Sequence, residues 1–121
     1  MSDIDYSKYR MYILVRDQFP PSVAVNSASH GAMNATLDWN NEDHPHFLGW
    51  RNHSFRKITC MVNDTELALA NKIMTEQGIK FIEQTESRLD KAHILTICHP
   101  FDPSDRAFKA FKFFRTYKWG E

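Results

Sequence analysis

Glycine is scarce, with 4 in 121 residues, and the 5 prolines are scattered, so neither a low-complexity chain nor a Pro/Gly-rich spacer is encoded. Cysteine is limited to Cys60 and Cys98, far apart and each inside an apolar run. That excludes a disulfide-built scaffold and reads as two buried free thiols. Neither sign of charge is in excess: 15 Lys+Arg stand against 15 Asp+Glu. No overall field would draw the chain to nucleic acid or membrane, and only local patches remain. No run of about 18 apolar residues occurs, and Met1-Ser2-Asp3-Ile4-Asp5 is neither basic nor apolar. The expectation is a cytoplasmic protein with no membrane partner.

What the chain does have is the balance of a folded domain, 42% hydrophobic and 25% charged, at a length suited to a single domain spanning 1–121. Met11-Tyr12-Ile13-Leu14-Val15 is a continuous apolar run bounded by charge, as in a strand covered on both faces, and predicts a central strand over 9–16. Pro20-Pro21-Ser22 stops it, with Ser22 offering a cap. Val25, Ala28, Ala32, Ala35 and Trp39 then recur at helical spacing, with a buried stripe small enough for close packing. Residues 40–54 lack a period and contain Pro45 and Gly49, so a long surface connection is expected.

Arg56–Val62 reads as a second strand, and Asn63-Asp64-Thr65-Glu66 caps a helix through Leu67, Ala70, Ile73 and Met74 that Gly78 ends. Strands at 80–85 and 93–98, joined by a short polar turn, predict an antiparallel pair. Phe108, Phe111 and Phe114 give a closing helix an aromatic core face. The order β-α-β-α-β-β-α implies an α/β fold: a three-layer α/β/α sandwich around a mixed four-stranded sheet. Ligands in such sheets collect at the carboxyl ends of the strands, which here means Arg16-Asp17, Asn63-Asp64 and the start of the first helix.

The most informative stretch runs from Leu14-Val15-Arg16-Asp17 to Ser27-Ala28-Ser29-His30-Gly31-Ala32. It resembles the opening of the archaeal and eukaryotic type of peptidyl-tRNA hydrolase, where Val-Arg-x-Asp precedes Gly-Lys-x-Ala-Ala-Gln-x-x-His-Ala. The resemblance extends over nearly the whole chain through Trp50, Leu67, Ala70, Gln77-Gly78-Ile79, Ile94-Leu95-Thr96-Ile97 and Pro100. Counting from Gly78 places Glu86-Ser87-Arg88 where that family has Asp-Ala-Gly-Arg. Two departures stand out: Val23 occupies the family's lysine position and Ser27 its glutamine position. The spacing from acid to histidine is also one residue shorter.

The resemblance implies cleavage of the ester between a peptide and the terminal ribose of tRNA, with no cofactor and no metal. His30, Asp17 and Glu86 become the catalytic candidates, and Ser27, Asn26, Arg16, Arg88 and Trp50 the substrate-holding ones. His30 would move the proton with Asp17 or Glu86 orienting it. Val23, however, supplies no charge for an oxyanion or a phosphate. Two alternatives stay open: a non-catalytic relative binding a nucleotide, a small metabolite or a protein partner, and hydrolysis of a different ester or amide. The family also implies a homodimer.

Each candidate has a plainer reading. His30 can be satisfied on a polar helix face, Asp17 can form a turn, and Glu86 can pair with Arg88 at the surface. His44, His46 and His53 match no closed zinc signature and read as solvated loop histidines. Trp50, Arg51, His53, Arg56 and Lys57 mix an aromatic with bases, as an RNA-contacting surface does. Arg106, Lys109, Lys112 and Arg115 fall opposite the phenylalanines, on an arc read first as solvated and second as an RNA contact.

Overall fold

The computed structural model describes residues 4–118 and forms one mixed sheet. In chain order its elements are β1 (Arg10–Arg16), α1 (Pro21–Asn41), α2 (Pro45–Asn52), β2 (Arg56–Val62), α3 (Asp64–Glu76), β3 (Phe81–Glu86), β4 (Ala92–Cys98), a 3₁₀ segment (Arg106–Phe113) and β5 (Arg115–Thr116). The strands lie in the order β3-β4-β1-β2-β5. β1 and β2 are parallel, in register from Arg10 opposite Arg56 to Arg16 opposite Val62. β4 runs antiparallel to both β1 and β3.

The alternation along β1 builds the two sides of the core. Met11, Ile13 and Val15 pack under α1 and α2 with Ala35, Trp39, Phe47 and Trp50. Tyr12 and Leu14 face α3 and the 3₁₀ segment with Leu67, Met74, Phe101, Phe108 and Phe111. Small residues let α1 lie close to the sheet. A Cβ at Gly31 would already meet the Ile97 and Leu95 side chains at 3.1–3.2 Å. Cys60 and Cys98 are free and buried, and burial pushes the Cys60 thiol up to about 11.

Four expectations need correction. The sheet has five strands, because residues 115–116 pair antiparallel with β2. The stretch 40–54 is mostly helical: α1 continues to Asn41 and α2 begins at Pro45. Proline at the first position of a helix gives up only an N–H that has no intrahelical partner there, so Pro45 starts a helix rather than breaking one. The His44 ring caps it by accepting from the His46 N–H. Gly49 serves α2 by lacking a side chain, since a Cβ there would sit 2.5 Å from the Tyr6 ring. Third, α1 starts on Pro21 with no side-chain cap, leaving Ser22 inside the helix. Fourth, the closing aromatic segment is not an α-helix but two short 3₁₀ turns that meet at a kink at Phe108 (φ −102, ψ 18). Its three-residue repeat keeps Phe108 and Phe111 buried, with Phe114 buried just beyond.

The cap anticipated at Asn63–Glu66 is a reciprocal one between Asn63 and Glu66, satisfying two donors that the first turn of a helix leaves unpaired. Gly78 follows α3 with φ +69, the left-handed geometry that glycine adopts at low cost.

Candidate functional site

The carboxyl end of the sheet gathers the ends of β1, β2 and β3, the start of β4 and the first turn of α1. Most of the residues singled out by sequence lie here, in two separate groups. In the first, Asn26 from α1, Glu86 at the end of β3 and Arg88 in the 3₁₀ turn Ser87–Leu89 that follows it line one hollow of about 460 Å³ with Ser22, Val23 and Leu89. The Glu86 side chain is 18% exposed. Its carboxylate accepts from the Arg88 backbone N–H at 3.2 Å and lies 4.0 Å from the Arg88 guanidinium. That leaves carboxylate oxygen facing a hollow in which Arg88 supplies a solvent-exposed cation.

The second group is an ion-pair chain. Arg115 of β5 reaches Asp17 at 3.4 Å and Glu66 at 3.8 Å. Arg16 donates to the His93 carbonyl at 2.9 Å and to Asp64 at 3.1 Å. Asp17 therefore has a cationic partner from a strand that the sequence did not announce, and Arg16 ties β1 to β4 and α3.

The remaining candidates stand apart from the hollow. His30 is exposed on α1 and is not among the residues lining it. Ser27 belongs to the buried stripe of α1 with Ala24, Gly31 and Ala35, and its hydroxyl has no partner among the described residues. Trp50 is 1% exposed, with its indole N–H donating to the Arg56 carbonyl at 2.9 Å. It fills the core, and the ring at the surface there is Phe55, 50% exposed, with the Lys57 ammonium 3.4 Å above it. The single pocket expected for His30, Asp17 and Glu86 thus resolves into Glu86 in a hollow, Asp17 in an ion-pair chain and His30 on an open helix face.

The sequence reading missed a second hollow, at the opposite end of the sheet. It measures about 410 Å³ and is lined by Tyr9, His44, His46, Lys80, His99 and Asp102, among others. His99 follows β4 and is 4% exposed. Its ring centroid lies 4.5 Å from that of His44 and 5.0 Å from that of Trp39. Burial, reinforced by the neighbouring His44, holds His99 down to about 4, so it is neutral near pH 7. Its Nδ1 lies 3.2 Å from the Pro100 carbonyl, which can only accept. The proton therefore sits on Nδ1, and the buried Nε2 is left without a partner. His46 is lowered too, first by burial and then by His44, and its Nδ1 is 3.0 Å from the Tyr6 hydroxyl.

These imidazoles do not form a ligand set. His44 Nδ1 is already an acceptor, which puts the proton of its neutral ring on Nε2. Among the described residues no three His, Cys, Asp or Glu side chains converge on a metal position. A histidine directly after an apolar strand, in a chain that sets His44 and His46 beside a tyrosine-rich N-terminal stretch, was the signal available.

Fold and site together define a mixed-sheet α/β protein with separate hollows at the two ends of its strands. Neither a known family model nor a curated protein matches the chain. No helix among the described residues is long and apolar enough to cross a membrane.

Proposed function

We propose that the chain is a peptidyl-tRNA hydrolase-like α/β protein that holds the acylated 3′ end of a tRNA at the carboxyl end of its sheet. The observation that supports this is the convergence of Asn26, Glu86 and Arg88 on one hollow beside Val23. In this reading Arg88 faces the terminal phosphate, Asn26 bonds the ribose or the ester carbonyl, and Glu86 takes the amino group or a water. Holding the ester comes before cleaving it. Val23 brings no cation for the developing oxyanion, His30 lies outside the hollow, and Asp17 is engaged by Arg115.

Cleavage is the second reading, favoured by the half-buried Glu86 carboxylate: it would take a proton from water as that water adds to the ester carbonyl, and give it to the ribose oxygen as the ester C–O bond breaks. One experiment separates the two. Purified protein is incubated with a labelled peptidyl-tRNA, and binding and peptide release are both followed for the wild type, Glu86→Gln, Arg88→Ala and His30→Ala. Holding predicts binding that weakens in Arg88→Ala, with no release. Cleavage predicts release that Glu86→Gln abolishes and His30→Ala keeps. Binding indifferent to both Glu86 and Arg88 overturns the proposal.

A further inference from the structure

Net charge over the whole chain is zero, yet residues 106–118 contain Arg106, Lys109, Lys112, Arg115 and Lys118 and no carboxylate. The 3₁₀ backbone organises three of them. Burial through this segment repeats every three residues: Phe108 and Phe111 are buried, Ala107 and Ala110 are half-buried, and Arg106, Lys109 and Lys112 are exposed. In a 3₁₀ helix, side chains three apart eclipse one another at a rise of roughly 6 Å per turn. The same three positions on an α-helix would spiral away from one another at about 4.5 Å per step. Here the segment bends at Phe108 (φ −102, ψ 18), so it is the repeating burial, not an unbroken helix, that leaves Arg106, Lys109 and Lys112 in a column on one exposed side.

Arg106, Lys109 and Lys112 make no ion pair among the described residues, unlike Arg16, Lys80, Arg88 and Arg115. Three adjacent like charges kept without a counter-ion repel one another, and an extended polyanion relieves that repulsion. At the end of the column stands Phe113, 74% exposed, the most exposed of the large apolar side chains among the described residues. An exposed ring beside cations is the combination that binds single strands: cations track the phosphates and the ring stacks a base.

The column also has a direction. It begins beside Asp105, on the rim of the histidine hollow, and leads to Arg115, which reaches Asp17 at the carboxyl end of the sheet. We infer that the 3₁₀ segment is a single-stranded nucleic-acid track, with phosphates along Arg106, Lys109 and Lys112 and a base on Phe113. The strand end is thereby delivered toward the carboxyl end, a step that rests on the holding function proposed above. The track itself does not need it.

The test measures binding of a fluorescently labelled single-stranded RNA octamer across salt concentrations. Three phosphate contacts on a single strand predict a log–log salt slope of about −2. The triple change R106Q/K109Q/K112Q should remove that slope, and Phe113→Ala should weaken binding by about fivefold or more at fixed salt. These side chains are exposed, so a circular-dichroism spectrum like that of the wild type shows that the variants fold. An unchanged slope in the triple variant overturns the track, as does polyglutamate competing as well as RNA. Column-dependent binding that ignores Glu86→Gln and Arg88→Ala keeps the track and removes the holding function. Binding that ignores the column but needs Arg88 does the reverse.

Discussion

The two ends of the sheet differ in how they hold their polar groups. At the carboxyl end, Arg16, Asp17, Asp64, Glu66, Glu86, Arg88 and Arg115 are arranged in pairs open to water. Exposed pairs of this kind contribute about 0–1 kcal/mol each and are screened by salt. At the amino end, beside the exposed Lys80–Glu42 pair, a neutral imidazole is buried among Trp39, Phe47 and His44, where solvent offsets a charge poorly. A surface that is to exchange ligands needs groups that change partners at little cost, and the carboxyl end has them. The amino end holds α2 and the N-terminal stretch against the sheet, and His99 sits there where a change of charge is costly.

That contrast can be broken most forcefully in the packing of the amino end. Trp50→Ala removes a fully buried ring that touches Phe47 and Phe55 and should cost about 3–5 kcal/mol, read as a lower urea midpoint. An undiminished midpoint would mean that α2 is not part of the cooperative core.

Acid is the next lever. His99 titrates near 4 when folded against an ordinary value of 6.5. Between those values the unfolded chain binds a proton that the native one refuses. Stability from this group is therefore complete above pH 6.5 and is lost as pH falls toward 4, by roughly 3 kcal/mol. Urea unfolding measured from pH 7 to pH 4 should show that decline. His99→Asn keeps a donor for the Pro100 carbonyl and should flatten it. An equally steep decline in the variant would assign the acid sensitivity elsewhere.

Smaller effects belong to the carboxyl end. Asn63→Ala removes one half of the cap on α3 and should cost about 1 kcal/mol, seen in thermal unfolding. Arg115→Ala breaks the exposed contacts to Asp17 and Glu66 and should change stability by less than about 1 kcal/mol, with the difference vanishing in high salt. A loss of several kcal/mol there would make the chain of ion pairs a structural staple, and the contrast between the ends would fail.

Much of the fold was legible because it is written in local patterns. The apolar run 11–15, the Asn63–Glu66 cap, Gly78 and the short link between β3 and β4 each carry their own physical signature, and the structure follows all of them. The misreadings share one cause. Pro45 and Gly49 interrupt a helix when judged by propensity alone, but Pro45 falls at a first position and Gly49 lies under the Tyr6 ring, a contact no window of sequence can reveal. The two-residue β5 is too short to leave a period, and the phenylalanine spacing suits α and 3₁₀ helices alike. Of the candidate site, the sequence pointed to the carboxyl end and named Asn26, Glu86 and Arg88, which line one hollow there, but nothing in it could say that Asp17 meets Arg115 across 98 residues.

By itself, then, the sequence determined the α/β class, the central strand, the capped third helix and the residues free to carry charge, since these follow from neighbours along the chain. Only the tertiary structure decided which of them meet: Glu86 with Asn26, Asp17 with Arg115, and His99 with His44 at the rim of a hollow. Distances across a sheet depend on register and crossover, and burial depends on what lies above and below. Neither quantity is stored in any local stretch of residues.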